Sequence, residues 1–248
     1  MLVSIILITH NFEKYVEETL ASIANQTYKD IEVIVVDDAS TDKTIKIIKK
    51  IAEKNPRVKV FQNKNNLGKA RSFNIGIKKS RGEFIVQFDG DDTMPKDRIK
   101  KQVEFMEKHP DVMMSYGDMI KVVDGKEEMY ISPILKNPLK RMKERRNDES
   151  LRTDHTWRIL HDKKYIPGTS AMIRKEVFRS GIKMDGNIWA ATDYDLWLQI
   201  IGKGFKIAKA DIIGLIYRIH GAQMSKKRDK NEERGYIFNK LHKGDYFK

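Results

Sequence analysis

The sequence predicts an α/β fold in which helices flank a mostly parallel β-sheet. Three largely apolar stretches rich in β-branched residues, 2–9, 31–36 and 84–89, are typical of strands buried on both faces of such a sheet. Segments with apolar residues at helical spacing, such as 13–26 and 42–53, separate these strands. Strands that alternate with helices of this length indicate βαβ units, which make neighbouring strands parallel.

The remaining elements complete one domain with a smaller antiparallel and helical portion. Further strands are predicted at 58–61, 112–116 and 212–218, a loop followed by a strand at 167–173, and further helices at 68–80, 95–109 and from Thr192 onward. We therefore expect a single domain over residues 1–225, divided into halves at 1–118 and 119–225. A basic tail, 226–248, follows and is predicted to be helical.

Composition limits the function classes. The 248 residues are 40% hydrophobic, which supports a real core, and carry a net charge of +13, which suits anionic partners. There is no cysteine, which excludes disulfides, thiolate metal sites and a cysteine nucleophile. No apolar run approaches the roughly 18 residues that span a bilayer. The first strand also begins at Leu2 and leaves no room for a signal peptide, so we expect a cytoplasmic protein.

An acid cluster follows the strand 84–89. Asp89, Asp91 and Asp92 fall within four residues, and carboxylates this close repel one another unless a proton, solvent or a cation relieves the repulsion. Oxygen ligands of this kind suit Mg²⁺ or Mn²⁺ shared with substrate phosphates. An ordinary capped turn is the alternative. An EF-hand loop is excluded, because its sixth and twelfth positions would be Met94 and Lys100.

Polar clusters follow three of the predicted strands. They are Thr9-His10-Asn11, Asp37-Asp38 and Asp89-Gly90-Asp91. Because ligands of parallel sheets bind beyond the carboxyl ends of the strands, we expect these clusters to form one site. No Gly-x-Gly-x-x-Gly motif follows the first strand and no P-loop is present, so phosphate binding must depend on a metal and on basic side chains.

The order of the motifs resembles that of the GT-A fold inverting glycosyltransferases known as glycosyltransferase family 2. The resemblance covers about residues 1–225 and is closest in the first hundred. The segments that carry it are 3–11, 35–42, 66–68 with 74–76, 88–92, 192–197 and 217–220. Each motif alone is weak, but their joint order is specific.

The resemblance implies a role for each motif residue. Asp193 matches the catalytic carboxylate that deprotonates the acceptor hydroxyl, although alone it would be interpreted as a helix cap. Asp89 and Asp91 form the Asp-x-Asp motif that binds ribose and a divalent metal, Mn²⁺ or Mg²⁺, and His220 is either a further metal contact or structural. The implied nucleotide-binding residues are Thr9, His10, Asn11, Asp38, Asn66, Gly68, Arg71 and Asp89, with Asp38 on the uracil imide. The acceptor-side candidates are Gly168, Thr169 and Trp189.

This chain departs from the family pattern at several positions. His10 stands where the family has tyrosine, and Phe73 stands where an arginine is common, so Lys69 or Arg71 is expected to supply that charge. Thr192 replaces the glutamate that usually precedes the catalytic aspartate. The Gln-x-x-Arg-Trp motif of processive relatives is absent, which favours transfer of one sugar per encounter.

The resulting prediction is an inverting transfer of a single sugar from a UDP-linked donor to a hydroxyl acceptor in glycan or cell-surface polysaccharide synthesis. Two alternatives stay open: a nucleic-acid- or polyanion-binding protein that uses the basic surface, and a sugar nucleotidyltransferase on a related fold. No specific nucleic-acid partner is expected. As a hypothesis, the basic stretches 136–158 and 226–228 hold a lipid-linked or polyanionic acceptor at the inner face of a membrane.

Overall fold

The computed structural model describes residues 1–123, 125–132, 166–221 and 230–247. The stretches 136–158 and 226–228, for which we predicted acceptor or membrane contacts, lie outside these ranges. The strands are β1 (Val3–Thr9), β2 (Ile31–Asp37), β3 (Val58–Gln62), β4 (Phe84–Asp89), β5 (Val112–Val123), β6 (Lys126–Tyr130), β7 (Met172–Arg174) and β8 (Lys206–Ile219). The helices are α1 (Val16–Ala24), α2 (Thr44–Lys54), α3 (Lys69–Lys79), α4 (Arg98–Lys108), α5 (Lys175–Arg179), α6 (Thr192–Gly202) and α7 (Lys230–His242).

The strands form one sheet of eight in the order β3-β2-β1-β4-β7-β5-β6, with β8 paired to β5. The first four strands of the chain are parallel to one another, whereas β7 is antiparallel to β4 and β5, and β6 is antiparallel to β5. The predicted α/β fold with a mostly parallel sheet and a smaller antiparallel portion is therefore confirmed. Every residue of β1 and β2 is buried, as their apolar sequences predict.

The register of the central strands aligns their polar carboxyl ends. Thr9 pairs with Asp37 across β1 and β2, and Ile8 pairs with Asp89 across β1 and β4. The three polar clusters that were predicted to converge therefore lie side by side at one edge of the sheet. Short apolar side chains fill both faces behind that edge, with Ile6 on one face and Ile5 on the other.

Helices α1 and α4 each begin three residues later than their sequence patterns predict. The backbone carbonyl of Phe12 accepts the N–H groups of Tyr15 and Val16, so a turn precedes α1 instead of a helix from residue 13. Similarly, α4 was predicted to open at Pro95 but begins at Arg98. The Pro95 carbonyl accepts the side-chain amide of Gln26 at 2.8 Å, which ties this turn to the segment that follows α1.

β5 and β8 are longer than predicted because they pair with each other over almost their whole lengths. The pairing is parallel and shifts register at three places. One of them adjoins Gly117, where a Cβ atom would lie 2.6 Å from the Ile212 carbonyl. Irregular pairing of this kind breaks the period-2 pattern from which strand ends are inferred.

The end of the chain packs against α6. A Cβ atom at Gly202 would lie 1.8 Å from the Tyr246 carbonyl oxygen, so the two backbones are in direct contact. Tyr246 is itself buried, as is Ile237 on α7. Within the described residues no helix is long and apolar enough to cross a membrane.

Candidate active site

Lys69 lies at the centre of the acid cluster. It is the first residue of α3, and its Nζ donates to Asp89 Oδ2 at 2.6 Å. Burial opposes its charge, but the carboxylates of Asp89, Asp193 and Asp91 together raise the pKa of Lys69 above its ordinary value. One fixed cation therefore faces three carboxylates that come from β4, the turn after it and α6.

Asp193 is a buried carboxylate in the first turn of α6. Its Oδ1 accepts the N–H of Tyr194 at 2.9 Å, and it is only 6% exposed. Gly168 lies against it so closely that a Cβ there would be 2.7 Å from Asp193 Oδ2. Burial raises the pKa of Asp193 to about 6; the nearby charge of Lys69 lowers it and that of Asp89 raises it. A carboxylate with this pKa is ionised at neutral pH and is a stronger base than an ordinary aspartate.

Asp91 pairs with His220, which follows β8. The distance from His220 Nε2 to Asp91 Oδ2 is 3.0 Å, and both side chains are nearly buried. Burial and the charge of Asp89 raise the pKa of Asp91, while His220 opposes the shift. The ring of Tyr15 stacks on the imidazole at 4.6 Å and fixes its plane.

Asp92 points away from this group into the protein. It is 1% exposed and accepts the backbone N–H of Arg218 at 3.1 Å. Burial first, and then the charges of Asp91 and Asp89, raise its pKa well above the ordinary value. Burial lowers the pKa of Arg98 to about 9, opposed by the charge of Asp92, so a buried cation lies beneath the cluster.

Asp38 ties the loop before α3 to the sheet. Its carboxylate accepts the Asn63 side-chain amide and the backbone N–H groups of Leu67 and Gly68, each at 2.8 Å. A carboxylate offers about four acceptor positions, so these donors leave about one for a ligand. Sequence reasoning did not foresee that this predicted base contact would also carry a structural role.

His10 connects the same loop to the end of β1. Its Nδ1 lies 2.7 Å from the Asp38 carbonyl oxygen, which can only accept, so Nδ1 carries the proton. In the neutral ring Nε2 is then an acceptor, and the Asn66 amide nitrogen lies 3.2 Å from it. The side chain of Thr9, by contrast, is fully buried and donates to Asp37.

Two residues beside these strand ends have left-handed backbone conformations. Asn11 has φ 58° and Ala39 has φ 57°. For alanine this conformation costs on the order of 1–2 kcal/mol, and such strain clusters at functional sites. The Asn11 side chain accepts the N–H of Thr41 at 2.8 Å and thereby holds the two strained loops together.

The other predicted site residues are Arg71, Gly68, Gly168, Thr169 and Trp189. Arg71 is exposed and its side chain lies against Gly186, so of the two cations that the sequence offered it is Lys69 that lies beside the carboxylates. The ring of Trp189 lies against Gly68, where a Cβ would be 3.1 Å from Trp189 Cε3. Gly68 has φ 84°, a conformation that favours glycine. Thr169 is buried in the turn beside Gly168.

The described residues do not form a complete divalent-metal site on their own. Among them no group of three or more His, Cys, Asp or Glu side chains is arranged to hold an ion. Asp91 and His220 are adjacent, whereas Asp89, the third predicted ligand, pairs with Lys69. One carboxylate with few protein partners fits Mg²⁺ or Mn²⁺, which take most of their remaining ligands from substrate phosphates and water.

Comparison with known proteins places the chain in a family. Residues 4–181 match the family model described as glycosyl transferase family 2. An uncharacterized glycosyltransferase of Haemophilus influenzae is 30% identical over 97% of this chain and 75% of its own length. The UDP-Glc:alpha-D-GlcNAc-diphosphoundecaprenol beta-1,3-glucosyltransferase WfaP of Escherichia coli is 30% identical over 92% of this chain and 82% of its own length.

Solved structures show the same fold. The Staphylococcus aureus TarS fragment 1–349 in complex with UDP-GlcNAc superposes with a TM-score of 0.74 at 23% identity, over 98% of this chain. This chain spans just under two thirds of that TarS fragment, 66%. The mannosyltransferase PcManGT of Pyrobaculum calidifontis, in complex with GDP-Man and Mn²⁺, has a TM-score of 0.63 at 21% identity over 88% of this chain and 56% of its own. The family match and these relatives agree with the carboxylate-lined sheet edge, and the chain belongs to glycosyl transferase family 2 as a glycosyltransferase.

Proposed function

We propose that this enzyme moves a single sugar from a UDP-linked donor to a hydroxyl group of a glycan or lipid-linked acceptor and inverts the anomeric configuration. The observation that carries the proposal is Asp193, a buried carboxylate with raised pKa that faces Lys69 and the acid cluster. The names of two similar proteins support the donor: TarS was solved with UDP-GlcNAc, and WfaP is named for UDP-Glc and a diphosphoundecaprenol acceptor.

Asp193 acts as the general base in this proposal. Its Oδ2 lies beside the Gly168 backbone, and the charges of Lys69 and Asp89 are near enough to shift its pKa. An acceptor hydroxyl bound there loses its proton to Asp193 as the oxygen attacks the sugar from the face opposite the diphosphate. The attack from the opposite face produces inversion.

The other charged residues serve the donor. Asp91 and His220 would hold the divalent ion, which when bound acts as a Lewis acid toward the leaving diphosphate. Lys69 offers the donor a positive charge, and its pairing with Asp89 keeps that charge in place before the donor arrives. The remaining acceptor position of Asp38 suits the imide N–H of uracil, which cytosine lacks.

Calorimetric titration tests the proposal. UDP, GDP, dTDP and CDP are titrated in turn with Mn²⁺ present and again with EDTA. We expect UDP to bind in the presence of Mn²⁺ and to bind much more weakly in EDTA. Failure of all four to bind would overturn the proposal, and salt-sensitive binding of RNA or DNA would then favour the polyanion-binding alternative that the net charge of +13 suggests.

The pH profile follows from the state of Asp193. The base must be ionised to accept a proton, and burial raises its pKa to about 6. The kcat/KM should therefore fall as the pH decreases through about 6 and approach a plateau above about pH 7, because this ratio reports the pKa values of the free enzyme. The measurement is kcat/KM for UDP release from a UDP-sugar between pH 4.5 and 8.5. A profile that stays flat down to pH 4.5 would contradict this assignment.

Replacing Lys69 with glutamine should change both donor binding and the pH profile. Loss of a charge-assisted contact weakens UDP binding by about tenfold or more. Because Lys69 lowers the pKa of Asp193, its loss should also move the acidic limb of the profile to higher pH. Lys78→Gln, at an exposed position near the other end of α3, is the matched control. Unchanged UDP affinity in Lys69→Gln would remove Lys69 from the donor site.

A further inference from the structure

A glutamate from the C-terminal helix covers the start of α6. The Glu233 carboxylate accepts the backbone N–H groups of three successive residues: Trp189 at 2.9 Å, Ala190 at 3.0 and 3.2 Å, and Ala191 at 3.1 Å. Both carboxylate oxygens are used. No local sequence pattern predicts this contact, because the partners of Glu233 are 42 to 44 positions away in the chain.

The three amides belong to the residues that lead into α6. Ala191 occupies the cap position of the helix and makes no side-chain cap hydrogen bond, and Trp189 and Ala190 precede it. The N-terminal end of a helix favours negative charge, so a carboxylate bound at the cap residue and the two residues before it is well suited to the place. Glu233 therefore fixes the segment that leads into the helix that carries Asp193.

The same C-terminal segment holds this region at other points. Lys240 Nζ lies 3.1 Å from Asp185 Oδ2 and also contacts the fully buried carboxylate of Asp195. The Tyr246 hydroxyl donates to Asp195 at 2.6 Å. Asp195, the second aspartate of the Thr-Asp-Tyr-Asp motif, thus has a structural role, and the segment 230–247 is attached on both sides of Asp193.

The three residues whose amides bind Glu233 lie next to both the donor side of the proposed site and the proposed base. Trp189 packs on Gly68, whose N–H is bound by Asp38 on the donor side. Asp193 lies two residues beyond Ala191 and faces Lys69. A shift of the 189–191 backbone would move the base relative to the donor, and a misplacement of about 1 Å can cost as much as a hundredfold in rate.

We propose that Glu233 is a positioning residue for the transfer reaction: by binding the amides of Trp189, Ala190 and Ala191, it fixes the place of Asp193 relative to the donor pocket. The inference rests on the proposed function. It gives the C-terminal segment a part in catalysis without contact to the substrate.

The experiment compares the variants Glu233→Gln, Glu233→Asp and Glu233→Ala with the unmodified chain, all at full length. Glu232→Gln, an exposed neighbour on the same helix, removes the same charge and is the matched control. Hydrogen exchange of the peptide 186–196 reports the hydrogen bonds to Glu233 themselves. UDP release from UDP-glucose and UDP-N-acetylglucosamine with Mn²⁺ gives kcat and KM, and calorimetry gives the Kd of UDP.

We expect Glu233→Gln and Glu233→Ala to exchange the amides of 186–196 at least about fivefold faster, since three of these amides lose a charged hydrogen-bond acceptor. Their kcat should fall about tenfold while the KM for the sugar nucleotide and the Kd of UDP change less than about threefold, because Gly68 stays bound to Asp38 and Asn66. Glu233→Asp should recover part of kcat, and Glu232→Gln should match the unmodified chain.

Three outcomes would overturn the inference, and they differ from one another. Unchanged exchange in Glu233→Ala would mean that the carboxylate does not bind the amides. Faster exchange with unchanged kcat would mean that Glu233 only stabilises α6. An unmodified chain that binds no nucleoside diphosphate and hydrolyses neither sugar nucleotide would overturn the proposed function and the positioning role together.

Discussion

Replacing Asp193 with asparagine is expected to lower turnover at least about a hundredfold while UDP affinity changes little. The substitution keeps the size of the side chain and leaves an oxygen that can accept the Tyr194 N–H, so the first turn of α6 should persist. It removes the basic carboxylate that faces Lys69. The donor contacts proposed for Asp38, Asp91 and His220 lie on other elements and stay intact.

The test measures kcat for sugar transfer, or for UDP release, together with the calorimetric Kd of UDP. Asp211→Asn, an exposed position on β8, controls for the loss of one negative charge. Near-normal turnover in Asp193→Asn would show that another group accepts the proton. A parallel loss of turnover and UDP affinity would instead place Asp193 in donor binding.

The same substitution should make the protein more stable at neutral pH. Burial raises the pKa of Asp193 from 3.8 to about 6 in the folded state, so its ionised form disfavours folding. The stability that the protonated Asp193 side chain contributes is fully present below pH 4 and is lost as the pH rises through 6. Asp193→Asn should therefore raise the free energy of unfolding at pH 8 by up to about 3 kcal/mol, and the Tm should rise with it. At pH 4 both quantities should change little. A lower Tm at pH 8 would contradict the cost assigned to the buried charge.

The parts of the site that could be predicted from sequence are those that depend on short, continuous stretches of the chain. Apolar runs that end in Asp37 and Asp89 revealed both the buried strands and the edge at which their carboxylates meet. The register that brings Thr9 beside Asp37 follows from parallel pairing of such strands. Helix starts were less predictable, since the turn at Phe12 and the bridge of Thr93 to Ile216 depend on tertiary contacts.

The sequence does not show which charged side chains pair with one another in the folded protein. The sequence offered Lys69 and Arg71 as equivalent cations, but they lie two positions apart on a helix and therefore point in different directions. Only Lys69 reaches the carboxylates. Glu233 was missed for a related reason, because the amides that it binds carry no sequence signal and the helix α7 shows no apolar periodicity that would predict its docking.

Substitution of Asp91 by asparagine is the second change for which we expect a large effect, and it separates metal binding from base chemistry. Asp91 is the carboxylate next to His220, and burial together with the charge of Asp89 already raises its pKa. A bound divalent cation would relieve that repulsion, so the loss of this ligand should remove the benefit of the metal for UDP binding.

In Asp91→Asn we expect the affinity for UDP in Mn²⁺ to fall at least about a hundredfold, to the value that the unmodified chain shows in EDTA, since even residues that only orient metal ligands contribute ten- to a hundredfold. In EDTA the variant and the unmodified chain should bind UDP alike, because the charge of Lys69 and the loop held by Asp38 are unchanged. Asp97→Asn, an exposed residue before α4, is the control. A loss of equal size in EDTA would show that Asp91 supports the pocket structurally. Unchanged affinity in Mn²⁺ would remove it from the metal site, and Asp89 would then have to leave Lys69 in order to bind the ion.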